Sequence, residues 1–166
     1  APASFCNVVG LKPTYGRVSR HGVLPLSWTL DHVGPMTYRV ADAAIMLEAI
    51  SGYDKNDWTS SKNKSTTFEI PSRHRLDGVK IAVPKHYFFN KSLPEVDSEV
   101  IKIAEDALAK LQQLGAIIEE INIPALEYAD AAALVILLAE GYAVHQHNIL
   151  KKTELYGELN LLELRV

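Results

Sequence analysis

One cysteine, Cys6, is all the thiol chemistry this 166-residue sequence holds. A disulfide within the chain is therefore excluded, as is a zinc site built on paired thiolates. A reducing compartment, the cytoplasm, is the expected setting. A surplus of basic charge is also missing. The net charge is −3, so no basic field invites nucleic acid or an anionic membrane. The start, Ala1-Pro2-Ala3-Ser4-Phe5-Cys6, has no basic region and no long apolar run, and does not read as a signal peptide. The most apolar stretch, Ala129 to Val144, is interrupted by Asp130, Glu140 and Gly141 and reads as too short and too charged to span a bilayer. No internal repeat and no low-complexity tract is present.

What remains is an ordinary soluble composition. Hydrophobic residues make up 48% of the chain, enough for a core in one domain. Residues 1–38 alternate short β-prone pieces with the breakers Gly10, Pro13, Gly16, Gly22 and Pro25, which predicts irregular loops and short strands. Val40, Ala43, Ala44, Leu47 and Ile50 recur at helical spacing, so residues 39–51 are expected to be a helix stopped by Ser51-Gly52. Residues 53–75 are polar and aperiodic and read as a long surface loop. A strand at Gly78–Val83 follows. Asp97 can then cap a helix to about Leu114, with Val100, Ile103, Ala104, Ala107, Leu108, Leu111 and Leu114 as its apolar positions. After Gly115, Ile117 to Ile123 reads as a second strand. Together, about 78–123 predicts a βαβ unit with parallel strands, hence an α/β fold. A last helix runs from Tyr128 to about Leu150. It is apolar on most sides between Ala131 and Leu138, so burial on several faces is expected.

Few residues form a chemical constellation. Ser61-Lys62-Asn63-Lys64 satisfies S-x-x-K, but that chemistry needs the serine at a helix start with the lysine one turn on. No helical period surrounds it, so it reads as coincidence. His145 and His147, two apart on a helix, point roughly 200° away from each other and cannot share a metal. His21, His32, His74 and His86 have no local ligand pattern and read as surface or loop histidines. Gly10 to Arg17 holds two glycines and two cations, but Pro13 removes an amide a phosphate cradle would use. It reads as a turn where backbone passes close to backbone. Asp31, among apolar neighbours, reads as an anchor accepting backbone amides or as a pocket residue. No nucleophile, base and orienting group stand together.

Pro2-Ala3-Ser4-Phe5-Cys6-Asn7-Val8-Val9-Gly10-Leu11-Lys12-Pro13-Thr14-Tyr15-Gly16-Arg17-Val18-Ser19-Arg20 closely resembles the amidase signature. The likeness continues through Gly22-Val23, Leu30-Asp31, Gly34-Pro35-Met36, Val40 to Ala44, Gly52-Tyr53-Asp54, Asp57 and Thr59-Ser60. It reappears in Gly78 to Ala82 and Leu114-Gly115-Ala116. The resemblance implies an α/β/α sandwich around a mixed sheet, with residues 1–166 as a single partial domain from its middle. It implies hydrolysis or transfer of a small-molecule carboxamide by a Ser–cis-Ser–Lys triad, with the nucleophile in a segment reading G-G-S-[IV]-R-x-P-A whose amides form the oxyanion hole. Ala1 would be the x and Pro2-Ala3 the P-A, so the triad is expected upstream of residue 1 and no catalytic residue within the chain. The chain itself is then expected to be inert, and to self-associate through apolar surface. No cofactor or metal is implied. Gly10, Lys12, Tyr15, Gly16, Asp31, Gly34 and Pro35 become scaffold beside the active site. The A subunits of glutamyl-tRNA amidotransferases resemble the first half strongly, and typically carry two tyrosines nine and ten positions after the proline matched by Pro124. Ala133 and Leu134 stand there instead, as substrate-pocket candidates that point to a less polar amide. The amidotransferase and a non-catalytic assembly module remain the alternatives.

Overall fold

The computed structural model describes residues 2–63, 68, 75–89, 96–158, 160 and 161. The chain divides into two compact units, Ala1–Ile70 with Leu134–Val166 and, between them in sequence, Pro71–Ala133.

The first unit opens with a short helix, α1 (Pro2–Phe5), where loops and strands are expected from the breakers. Next comes β1 (Val9–Gly10), paired antiparallel with β2 (Met36–Thr37) in the register Val9↔Thr37 and Gly10↔Met36. The Leu11 amide extends this edge by donating to the Pro35 carbonyl at 3.1 Å. The predicted helix is α2 (Val40–Ile50), which buries Ala43 and Leu47. Val40 and Ile50, at the ends of its apolar stripe, stay exposed. Val18 bridges to Ser51 just past the helix, and Gly52 donates to the Arg17 carbonyl, tying the signature-like segment to the helix end.

The described part of the 53–75 tract is a loop without helix or strand, as expected, but it is pinned at two points. Asp57 and Ser60 are buried, and the Ser61 amide donates to the Gly16 carbonyl at 2.8 Å. Polarity here reflects internal hydrogen bonding, because carboxylate and hydroxyl groups replace backbone partners that no helix or strand supplies. Lys64, the lysine of the S-x-x-K pattern, lies outside the described residues, as does His74.

The second unit holds the predicted βαβ arrangement. β3 (Lys80–Val83) runs parallel to β4 (Ile117–Glu120), from Lys80↔Ile117 to Val83↔Glu120. A short α3 (Lys85–Phe88) follows β3, and α4 (Ser98–Gln113) returns the chain. Asp97 caps α4 as expected, its carboxylate accepting the Glu99 amide at 2.8 Å. The buried stripe of α4 is centred differently from the sequence reading. Ile101 is buried, with Ala104, Leu108 and Leu111 half-buried, whereas Val100 and Ile103 are exposed. Both stripes have helical spacing, and the packed one is chosen by the two-stranded sheet beside it.

A 3₁₀ turn (Pro124–Tyr128) leads into α5 (Ala129–Lys151). The cover expected for this helix is not supplied by the described residues, and one expectation is corrected. Helix α5 buries only Gly141 and Ile149, with Leu134, Val135 and Ile136 exposed, so its apolar faces are not covered by the described residues. The helical run Pro124–Lys151, 28 residues, is also long and apolar enough by length and composition to cross a membrane. Asp130 and Glu140 do not shorten it, because single carboxylates leave the helix intact.

Candidate functional site

Gly16 and Gly34 set the geometry of the signature-like segment. Gly16 adopts φ +75°, and a Cβ there would stand 2.4 Å from the Thr59 carbonyl oxygen. At Gly34 a Cβ would stand 2.1 Å from the Leu11 carbonyl oxygen. Both contacts are backbone against backbone, the close passage expected from the Gly10–Gly16 turn.

Arg20 joins the strands of this passage. Its guanidinium donates through Nη1 to the Trp28 carbonyl at 2.7 Å, and through Nη2 to the Tyr15 hydroxyl at 2.7 Å and the Thr59 hydroxyl at 2.9 Å. It also lies over the Tyr15 ring, 4.7 Å from the centroid. Tyr15 passes its own proton to the Trp28 carbonyl at 2.7 Å. Asp57 accepts the Arg20 amide at 2.8 Å and both the amide and hydroxyl of Thr59. Burial pushes the Asp57 carboxyl up, but the hydrogen bonds from Thr59 and Arg20 and the Arg20 charge outweigh it, leaving it below the usual carboxylate value.

Asp31 is the anchor its setting suggests. Its Oδ2 accepts the amides of Leu26 at 2.9 Å and Ser27 at 3.1 Å. The turn it organises is held again by Glu140 of α5. Glu140 Oε2 accepts the Ser27 hydroxyl and the Thr29 amide, and Oε1 accepts the Thr29 hydroxyl at 2.8 Å. Ser27 is completely buried. The Ser27 hydroxyl first, then the Thr29 amide, holds the Glu140 carboxyl below its ordinary 4.5. A depressed carboxylate stabilises the fold above its unfolded-state pKa, and that contribution is lost as pH falls through the lower folded-state value. Thermal melts should therefore show the native protein losing stability as pH falls below about 5, and Glu140→Gln showing a lower Tm at pH 7 with a shallower acid slope. Parallel slopes for the two proteins would exclude this role.

A cleft of about 540 Å³ opens between α1 and the Gly34–Met36 edge. Gly10, Lys12, Gly34 and Pro35 line it, with Ala3 and Ser4 opposite. Lys12 Nζ lies 3.3 Å from His32 Nε2. A second cleft, of about 350 Å³, is bordered by Arg20, Trp28, Asp31, Asp57 and Trp58. His32 lines both. Tyr15 meets the His32 ring edge-on at 5.5 Å. Five of the seven residues assigned to scaffold, Gly10, Lys12, Gly34, Pro35 and Asp31, therefore line these two clefts, while Tyr15 and Gly16 brace them from the Arg20 network. Ala133 and Leu134 lie exposed on α5 and line neither.

A family model, Amidase, matches residues 1–163. The chain belongs to the amidase family. It is 45% identical over 139 residues to the A subunit of a glutamyl-tRNA(Gln) amidotransferase from Thermodesulfovibrio yellowstonii, a match covering 84% of this chain and 28% of that protein. In structure it is similar to the corresponding A subunit from Thermotoga maritima, with a TM-score of 0.77 at 37% identity over 99% of this chain and 33% of the other. A crystal structure of an amidase also matches with a TM-score of 0.77, at 27% identity and with the same coverage. The chain thus spans about a third or less of the length of these amidase-family relatives, and its α/β architecture is theirs.

Sequence reasoning missed Arg20, His32 and Glu140 as site-shaping residues. Arg20 and Asp57 both fall inside the amidase-like stretch, so their pairing had a signal there. Glu140 had one too, as a carboxylate in an otherwise apolar helix. Among the described residues, no three His, Cys, Asp or Glu side chains gather as a metal-binding group. His145 instead contacts the Tyr156 hydroxyl at 3.1 Å.

Proposed function

We propose that residues 1–166 form part of a single amidase domain whose role is to brace the loop carrying the catalytic serine. The whole protein then cleaves a carboxamide C–N bond. The serine hydroxyl attacks the carbonyl, its proton passes through the bridging serine to the lysine, the amine leaves, and water releases the acyl group. That triad belongs to the resemblance and is sought upstream of residue 1. The observation that carries the reading is the closure of residues 2–61 into one hydrogen-bonded body through Arg20, Asp57 and the Gly16 and Gly34 contacts. Such rigidity suits a scaffold that fixes a nucleophile and its oxyanion hole. Exposed apolar surface on α5 fits association with further protein, another copy of the chain included. A cytoplasmic location and no nucleic-acid or membrane partner complete the reading. Glu140 argues against a bilayer position for α5, since three hydrogen bonds tie it to the polar turn Ser27–Thr29.

A specific observation favours a second reading, an amidotransferase of the glutamyl-tRNA type: the 45% identity to the A subunit of such an enzyme. Ala133 and Leu134 favour the simple amidase, because a small apolar pair suits a less polar amide than glutamine.

Hydroxylamine trapping tests the proposal. The 166-residue chain, given simple amides and glutamine, should form no hydroxamate. A chain extended upstream through G-G-S-[IV]-R should form it, and lose it when that serine becomes alanine. Hydroxamate from the pure 166-residue chain would overturn the assignment of the nucleophile. The preferred amide of the extended chain separates the two readings.

A further inference from the structure

The cleft beside α1 has one lysine in its wall and, among the described residues, no carboxylate there to pair with it. We infer that Lys12, positioned by His32, makes this cleft selective for a small organic carboxylate carried on an apolar body. The inference deepens the amidase reading and rests on it for the claim that such a group belongs to the substrate.

His32 sets the geometry. Its Nδ1 lies 2.7 Å from the Leu30 carbonyl oxygen, which can only accept. A ring proton on Nδ1 satisfies that carbonyl and leaves Nε2 to face Lys12 Nζ at 3.3 Å. The other acceptor of the ammonium is the Pro13 carbonyl at 3.4 Å. Both acceptors are uncharged. They orient the ammonium and leave its charge uncompensated. Among the described residues, no carboxylate pairs with Lys12.

The rest of the wall selects the ligand. No described Asp or Glu lines the cleft, and Ala3, Val8, Leu11, Pro35 and Met36 make it mostly apolar. Its volume of about 540 Å³ suits a small molecule. One oriented ammonium at an apolar wall recognises an anion that carries hydrocarbon, and favours it over a bare ion or a neutral isostere. In the amidase reading the nucleophile stands four positions before Pro2. An extended chain spans at most about 3.5 Å per residue, which keeps that serine within roughly 14 Å of Pro2. Pro2 and Lys12 line the same cleft, so the proposed carboxylate site adjoins the segment that leads to that serine.

The test is a titration of the 166-residue chain with 4-phenylbutyrate, 4-phenylbutyramide and inorganic phosphate, followed by backbone amide NMR shifts at Ala3, Leu11 and Met36. Phenylbutyrate should bind at those amides, and tighter by about tenfold than either control. Lys12→Met should weaken it about tenfold or more, and Lys12→Arg should restore it to within about threefold. His32→Phe should give an intermediate loss. All variants should keep the native spread of amide shifts, so that unfolding is not mistaken for lost recognition. Absence of binding, equal binding of carboxylate and carboxamide, or insensitivity to Lys12→Met would overturn the inference. Because no turnover is involved, failure here leaves the hydroxamate result standing, and failure of that assay leaves the binding result interpretable.

Discussion

Arg20→Ala is expected to destabilise the first unit by about 3 kcal/mol, read as a fall in the urea midpoint. The guanidinium gives three hydrogen bonds of 2.7–2.9 Å to Trp28, Tyr15 and Thr59, which lie on three separate stretches of chain. Removing it takes the Arg20 donor from all three, leaving the Trp28 carbonyl with Tyr15 alone, and withdraws the positive charge beside buried Asp57. Lysine should rescue little. A single ammonium cannot present two parallel edges to partners on either side, nor lie flat over the Tyr15 ring. Trp28 supplies the local readout, since its carbonyl accepts from both Arg20 and Tyr15. Its near-ultraviolet dichroism should weaken in both variants. A lysine variant as stable as the native protein would show that charge alone, and not the fork, holds the passage together.

The second large effect belongs to Gly16→Ala, with Gly22→Ala as its control. Both glycines have left-handed backbone, φ +75° and φ +80°. An alanine in that region costs about 1 kcal/mol from backbone alone. Gly22 has nothing within 4 Å of the added methyl, so the backbone cost is all it should show. At Gly16 the methyl would stand 2.4 Å from the Thr59 carbonyl oxygen and 3.3 Å from the Ser61 amide nitrogen. No rotamer relieves a methyl, so the 52–61 segment must move off the signature-like turn and lose the Ser61-to-Gly16 hydrogen bond. The expected total is about 3 kcal/mol or more. Denaturation of the two variants side by side isolates the packing share. Equal losses would mean that the two segments do not bear on each other.

The contrast between these residues shows what could be read in advance. Helix α2, the β3–α4–β4 arrangement and the Asp97 cap were legible because each is written within a window of a few turns or strands. Asp31 was legible for the same reason, since the amides it accepts are four and five residues away. Arg20 with Thr59, and Glu140 with Ser27, were not. Their partners lie 39 and 113 residues off, and no local period encodes such a distance. In α4, two stripes were equally apolar, and only the neighbouring strands decide that Ile101 turns inward rather than Val100. The apolar faces of α5 were legible, but hydrophobicity states what a helix would bury and not whether the same chain supplies the cover. Of the cleft, Gly10, Lys12, Gly34 and Pro35 were reached through the amidase resemblance, while His32 emerged only once Leu30 and Lys12 were seen on either side of its ring.

The hydrogen bonds that Glu140 accepts also carry a consequence for synthesis. Ser27 and Thr29 leave the ribosome 113 and 111 residues before their acceptor. At about 5–20 residues per second, the turn waits roughly 6 to 22 seconds for α5 to be made. During that interval the turn relies on local partners, the Asp31 carboxylate accepting the Leu26 and Ser27 amides and the Ser27 carbonyl accepting those of Leu30 and Asp31. The Ser27 hydroxyl, fully enclosed in the finished fold, has meanwhile only water for an acceptor. The first sixty residues can therefore assemble early around Arg20 and Asp57, but their most enclosed polar group is satisfied last.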